Sequence, residues 1–297
     1  MSNKPRKMTL EKKHNLTGWA FLAPATFLIA VFSFWPMIKA LVLSFQTGKG
    51  RNMQMAGFTN YIRMFQDDVF LQSIKNTFFY FIIQVPIMLV VALVLACILN
   101  KKDLRFKGFF RTMIFLPCTT SLVAYAIIFR SLFANDGLVN YVLVNLGILD
   151  KPYNFLTQPF AAKMVILLGL LWRWTGYNMV FFLSGLQNIE YSVYEAAKID
   201  GASAIQTFFK ITVPLLKPTI LLTAIMSTNG TLQLFDESVN LTDGGPANAS
   251  ISMSHYIYNL CFKYVPNFGY AAAMSFFILL LVAVLAFIQM RVGDKRD

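Results

Sequence analysis

Six long apolar blocks divide this chain, and they restrict its fold more than any other feature. A helix rises 1.5 Å per residue, so about 20 apolar residues cross roughly 30 Å of hydrocarbon. Inside hydrocarbon every backbone N–H and C=O must be bonded internally, and blocks of this length satisfy that as helices. The sequence therefore reads as an all-α integral membrane protein with six transmembrane helices, near 19–45, 74–99, 109–131, 162–186, 215–235 and 270–290. The fifth is the least uniform, because Asn229 and Gln233 interrupt it. Charged residues make up only 13% of the chain, against about 25% in soluble domains, which excludes an ordinary soluble enzyme.

The first block follows a basic segment, residues 1–17, as a signal peptide would. Its apolar region exceeds the roughly 7–15 residues of such a peptide and ends in no small-residue cleavage site. It reads as an uncleaved span with kinks expected at Pro24 and Pro36.

The net charge of +12 raises the question of a nucleic-acid partner, and the positions of the 26 Lys and Arg answer it. Sixteen fall in the N-terminal tail (Lys4, Arg6, Lys7, Lys12, Lys13), the loop 100–111, the loop 187–217 and the C-terminal segment 291–297. The intervening loops hold five: Lys49, Arg51, Arg63, Lys151 and Lys263. Basic residues are retained on the cytoplasmic side, so both termini are expected in the cytoplasm. The excess is a topology signal with a contribution from anionic lipid head groups, and no nucleic-acid role is expected.

Catalytic and metal chemistry has little material. Cys97, Cys118 and Cys261 lack metal-ligand spacing and read as small buried hydrophobes. His14 and His255 have no neighbouring nucleophile. No Gly-x-x-x-x-Gly-Lys-Ser/Thr sequence is present, so the chain does not hold ATP in the P-loop manner; no cofactor and no metal site are expected in it.

Between the fourth and fifth blocks lies a polar stretch, 188–214, that is not linker-like. Ser192 with Glu195 and Ser203 with Gln206 each fit a capping box at a helix start. Gly201 is placed to end the first helix in the left-handed conformation, and Ile205, Phe208 and Phe209 give the second an apolar face before Pro214. The expectation is helix, tight turn, helix: either a rigid handle for another protein, or a loop in which Glu195 only caps its helix and Gly201 only turns the chain.

These residues carry a resemblance. Glu195, Ala196, Ala197, Asp200, Gly201 and Ala202, followed by Phe209, Ile211, Pro214 and Pro218, resemble the EAA loop of ABC-importer permease subunits. Phe21–Pro24, Pro36, Ser44-Phe45, Gly57–Tyr61, Asn76-Thr77 and Phe110–Pro117 resemble the first half of carbohydrate-type permeases. Phe235–Pro246, Tyr256, Tyr258, Phe262 and Gly269–Ser275 resemble the maltose-importer class, and Thr242, Gly244, Gly245 and Pro246 its first permease. The maltose permease has extra N-terminal helices and a large periplasmic insertion, which this compact six-span form lacks.

The resemblance implies a type I ABC-importer permease fold in a bacterial plasma membrane, importing a sugar. It implies a second, homologous permease, a dimer of ABC ATPase subunits that binds ATP and Mg, and an extracellular sugar-binding protein. Glu195, Ala196, Ala197, Asp200 and Gly201 would form the ATPase-docking site, with Glu195 meeting a basic residue of the ATPase and the alanines allowing close approach.

A sugar path through lipid needs polar groups facing a cavity. Arg173 and Asn229 lie at similar depth, roughly 20 Å from the inner ends of their spans. Trp174, Tyr177 and Asn178 beside Arg173 suit the apolar and hydroxyl surfaces of a sugar, and Asn229 and Gln233 share a helix face at a spacing of four. Alternatively, Arg173 forms an ion pair with Asp236 or Glu237, and Trp172 and Trp174 face lipid. Two other functions compete: an ATP-independent secondary transporter, which would favour internal repeats not evident between 19–131 and 162–290, and a membrane-embedded enzyme, for which no paired carboxylates or activated nucleophile occur within a span.

Overall fold

The computed structural model describes residues 9–49, 52–101 and 103–293. Lys4, Arg6, Lys7, Arg51, Lys102, Lys295 and Arg296, counted above for orientation, lie outside the described residues. Among those described, the chain is helical except for a hairpin, Gln46–Lys49 paired antiparallel with Asn52–Met55.

Four helices are long and apolar enough to cross a membrane: Leu10–Ser44, Asp68–Leu99, Pro159–Gln187 and Phe268–Gly293. Two further stretches qualify only as bent pairs. Lys107–Thr119 meets Leu122–Leu132 at 99°, and Ala204–Leu215 meets Lys217–Leu232 at 71°. The third and fifth blocks are therefore not the straight spans expected from hydropathy, which is blind to direction. The third breaks after Pro117, where Thr120 turns extended (φ −72°, ψ 150°). The fifth begins at Lys217-Pro218, and Gln233 lies past its last turn as the C-cap.

Two prolines widen the helix before them, whereas Pro24, where a kink was expected, and Pro86 lie within continuous α-helix. A wide π turn, Ala30–Phe34, precedes Pro36, and another, Phe208–Thr212, precedes Pro214. A proline ring crowds the carbonyl four residues earlier and offers no N–H; widening the preceding turn is one way a helix accommodates it.

Packing centres on Asp68–Leu99 against Pro159–Gln187. Ala92 and Ala96, both at 0% exposure, face a cluster with Met179, Phe182 and Leu183. Small residues spaced by four let two backbones approach, which replaces the hydrophobic drive that lipid does not supply. Gly176 goes further: a Cβ there would stand 1.9 Å from the Ile114 oxygen, so the Lys107–Thr119 helix crosses this point against bare backbone. Leu10–Ser44, by contrast, buries none of its most apolar window and is held through its Trp35–Ser44 end against the last long helix.

At one end of the bundle, residues 236–258 form a compact polar knot. Ser238 bonds the Ser250 carbonyl and His255 Nδ1, and Thr242 bonds the Ser250 hydroxyl. The Gly245-Pro246 peptide is cis, and Gly244 holds φ +75°. The second long helix clamps this knot: Asn76 Nδ2 donates to the Asn248 and Ile251 carbonyls, Met253 N–H to Thr77 Oγ1, and Tyr80 to the Ser250 carbonyl. The Asn76-Thr77 and Thr242–Pro246 motifs are thus two sides of one joint. Beside it Asp67 caps Asp68–Leu99 and accepts from the phenols of Tyr256 and Tyr270.

Candidate functional site: an exposed helix pair and a polar cleft

The stretch 188–214 folds as helix, turn, helix: Tyr191–Ile199, then Ala204–Thr207 continuing through the π turn. Gly201, at φ +75°, sits in a full Schellman closure, with its N–H on the Lys198 carbonyl and the Ala202 N–H on that of Ala197. Ser203 and Gln206 make both bonds of the expected capping box. The other expected box is absent. The first helix starts from Glu190, whose side chain makes no cap bond, and Ser192 lies inside the helix with its hydroxyl on Glu190 Oε2; the helix begins at Tyr191, so its cap lies two residues before the expected one.

Glu195, Ala196, Asp200 and Gly201 are exposed, whereas Ala197 is buried at 6% against its own chain. Ala197 therefore faces inward, and its smallness serves internal packing. Around the turn, Ile199 is 85%, Ile205 71% and Phe209 65% exposed. This pair joins Pro159–Gln187 directly to Lys217–Leu232.

Those two helices, with Asp68–Leu99, enclose a cleft of about 310 Å³ whose wall includes Trp174, Tyr177, Asn178, Asn229, Gln233 and Glu237. Five of the six residues expected along the path thus meet in one space. Gln233 donates to Asn229 Oδ1 across one turn, and both amides also border a second opening, of about 590 Å³, against Ser254 and Ser275. Asn178 is buried and accepts from Ser227; Thr231 donates to Gln84 Oε1 at 2.6 Å; Met88 Sδ receives both Gln84 Nε2 and Asn178 Nδ2. Gln84 is a single polar residue in an apolar block, and Ser227 and Thr231 are small hydroxyl residues beside Asn229; only the fold turns the three to a common point.

Arg173 is the sixth, and it does not line the cleft. Its guanidinium donates to the carbonyls of Pro117 and Cys118 and to Thr120 Oγ1, each at 3.3 Å, and lies over the rings of Tyr125 and Trp174. The break in the Lys107–Leu132 pair frees carbonyls that water cannot reach, and a cation at a helix C-terminus satisfies them. Among the described residues it makes no ion pair with Asp236 or Glu237; both ion pairs present there involve Asp243, with His255 and Lys263. Trp172 is 45% exposed and stacks on Tyr125. No cluster of His, Cys, Asp or Glu able to hold a metal occurs among the described residues.

Outside the spans two titrations follow from this geometry. Burial holds the His255 imidazole down to about 4, against an upward pull from Asp243. Burial pushes the Asp67 carboxyl up, but the hydrogen bonds from Tyr256, Tyr270 and the Phe70 and Val69 amides outweigh it and leave it below 3.8.

Residues 69–296 match the family described as binding-protein-dependent transport system inner membrane component. The lactose transport system permease protein LacF of Rhizobium radiobacter is 51% identical over 292 residues, covering 98% of each chain. The arabinooligosaccharides transport system permease protein AraP of Bacillus subtilis is 31% identical over 280 residues, 93% of this chain and 88% of that one. A solved bacterial ABC transporter involved in import of the acidic polysaccharide alginate contains a chain of the same fold, with TM-score 0.85 and 23% identity over 97% of this chain and 98% of that chain. With residues 69–296 matched by the family and 98% of its length aligned to a relative at 51% identity, the chain belongs to the family of binding-protein-dependent transport system inner membrane components.

Proposed function

We propose that this chain is one of two unlike permease subunits of an ATP-driven sugar importer. One observation carries the reading: the exposed helix pair 191–207 is spliced between the two helices that carry Trp174, Tyr177, Asn178 and Asn229. A partner that moves the pair moves both cleft walls.

In this reading each bent pair is one span, so six helices cross a bacterial plasma membrane with both termini cytoplasmic. Glu195, Ala196, Asp200 and Gly201 present the pair to a dimer of ABC ATPase subunits, which bind ATP and Mg; Ala197 braces it from within. ATP-driven closure of that dimer displaces the pair and turns the cleft from inward- to outward-facing, and hydrolysis resets it. The two states must differ in affinity for ATP and for the loaded sugar-binding protein, or no coupling results. That binding protein delivers sugar to the opposite face, the homologous second permease supplies the other half of the path, and Asn178, Asn229, Gln233, Trp174 and Tyr177 line this half. Support comes from the named sugar-transport relatives, at 51% and 31% identity.

Asn229→Ala tests the assignment. It is expected to alter sugar affinity or selectivity in uptake assays while the ATPase stays bound; unchanged kinetics across several sugars would remove Asn229 from the path.

A further inference from the structure

The cleft contains a carboxylate oxygen that has no hydrogen-bond partner among the described residues. Glu237 stands in the first turn of Asp236–Thr242, is 4% exposed, and lines the cleft with Asp236 beside it. Its own backbone amide and the Trp174 side chain hydrogen-bond the carboxyl, yet Oε1 is buried without a partner. A buried carboxylate oxygen left unpaired is costly, and such groups are rare enough that each calls for an explanation.

The rest of the wall narrows the explanation. No Lys, Arg or His lines the cleft. The nearest cation by sequence, Arg173, spends both terminal nitrogens on Pro117, Cys118 and Thr120. Two carboxyls, the amides of Gln84, Asn178, Asn229 and Gln233, the hydroxyls of Ser227 and Thr231, and the faces of Trp174 and Tyr177 remain. This wall accepts hydrogen bonds from hydroxyls and stacks on apolar ring faces. A saccharide carboxylate entering it would leave water and meet acids without a counter-ion.

We propose that the cleft selects uncharged, hydroxyl-rich saccharides over their carboxylate counterparts, with Glu237 Oε1 accepting the hydrogen bond of a sugar hydroxyl. The inference rests on the sugar-permease reading above. It holds for either protonation state of Glu237, since Oε1 keeps a lone pair in both and neither supplies a cation.

The test uses the complete complex in nanodiscs without the external binding protein, so that protein's own selectivity does not enter. Lactose and its acid counterpart lactobionate are titrated by calorimetry against wild type, Glu237→Gln and Glu237→Leu. Wild type is expected to favour lactose by at least tenfold. Glu237→Gln, which keeps an acceptor, is expected to hold lactose within a few-fold and narrow the gap to lactobionate. Glu237→Leu is expected to lose about tenfold in lactose affinity, the loss of one hydrogen bond to a buried acceptor. Its thermal midpoint should be unchanged or higher, because an unpaired buried carboxyl is gone. A residue that only stabilised its own helix start would lower that midpoint and leave lactose binding intact, and this outcome overturns the proposal. So does equal wild-type affinity for the two saccharides. Absence of binding by either saccharide to wild type overturns the sugar-permease reading as well, which separates the two failures.

Discussion

Replacing Gly176 with alanine inserts one methyl group where two helices touch backbone to backbone. The new Cβ would stand 1.9 Å from the Ile114 oxygen and 2.7 Å from its carbon. Real Cβ atoms essentially never come within 3.0 Å, so the Pro159–Gln187 and Lys107–Thr119 helices must separate by about 1 Å. Backbone cannot rotate aside as a side-chain tip does, and overpacking of this kind costs about 1–3 kcal/mol, sometimes more. That range is roughly a five- to 150-fold loss in the folding equilibrium constant. The separation also pulls the Pro117 and Cys118 carbonyls from Arg173, three residues along the same helix. The assay is thermal unfolding of the purified complex in detergent, with Gly230→Ala as the control. Gly230 lies in the Lys217–Leu232 helix beside the cleft, and its added Cβ meets nothing within 4 Å. Gly176→Ala is expected to lower the midpoint by several degrees and Gly230→Ala to leave it nearly unchanged. Equal midpoints for the two variants would refute the close-crossing argument.

Three further outcomes are expected. Asn76→Leu strands the Asn248 and Ile251 carbonyls in a buried joint, a cost of about 1–3 kcal/mol, readable as a lower unfolding midpoint with helix content retained in far-UV circular dichroism. Arg173→Leu removes three hydrogen bonds at the broken helix and is expected to destabilise the complex by about 1–3 kcal/mol; if stability is unchanged while sugar affinity falls, Arg173 belongs to the path after all. Asp67 has its folded carboxyl below the unfolded value of 3.8, so its contribution is complete above that value and is lost as pH falls through the folded one. Unfolding midpoints measured from pH 6 to pH 3 should therefore fall more steeply in wild type than in Asp67→Asn, and parallel curves would remove Asp67 from the joint.

What was legible in the sequence is what depends on neighbours along the chain. Gly201 could be placed in the left-handed region because a capping box, Ser203-Gln206, begins just after it, and Asn229 with Gln233 because four residues make one helix turn. The first, second, fourth and sixth blocks emerged as long helices because each stays predominantly apolar over a full span despite single polar residues such as Gln84 and Arg173. The 99° break at Thr120 left only a weak mark: Pro117 is followed by Thr119, Thr120 and Ser121, but a lone proline and hydroxyl residues are each compatible with a straight span. Arg173 followed from the same gap. Without the break there are no free carbonyls for it, and a pore-facing or carboxylate-paired arginine is what remains. Glu237 was seen only as a partner for that arginine. Its place on the cleft wall arises because Phe235 (φ −133°, ψ −61°) turns the chain just past Gln233 and starts a short helix back into the bundle. Ala197 was set outward with Ala196 because residues one apart cannot both be assigned a face until the helix is docked.

The claim on which the account depends is that the helix pair 191–207 is where ATP energy enters. Gly201 has open space around its Cβ position, so Gly201→Asp changes this chain only by the cost of a left-handed aspartate, about 1 kcal/mol, while placing a carboxylate on the exposed turn. The direct measurement is mass spectrometry of everything that co-purifies with the tagged chain from gentle detergent, for wild type and for the Glu195→Ala, Gly201→Asp double variant, alongside sugar uptake. The account predicts a second permease and a P-loop ATPase with wild type, and loss of the ATPase and of uptake with the second permease retained in the variant. A variant that keeps its ATPase and transports normally, or a wild-type chain that purifies alone and transports without ATP, would contradict it.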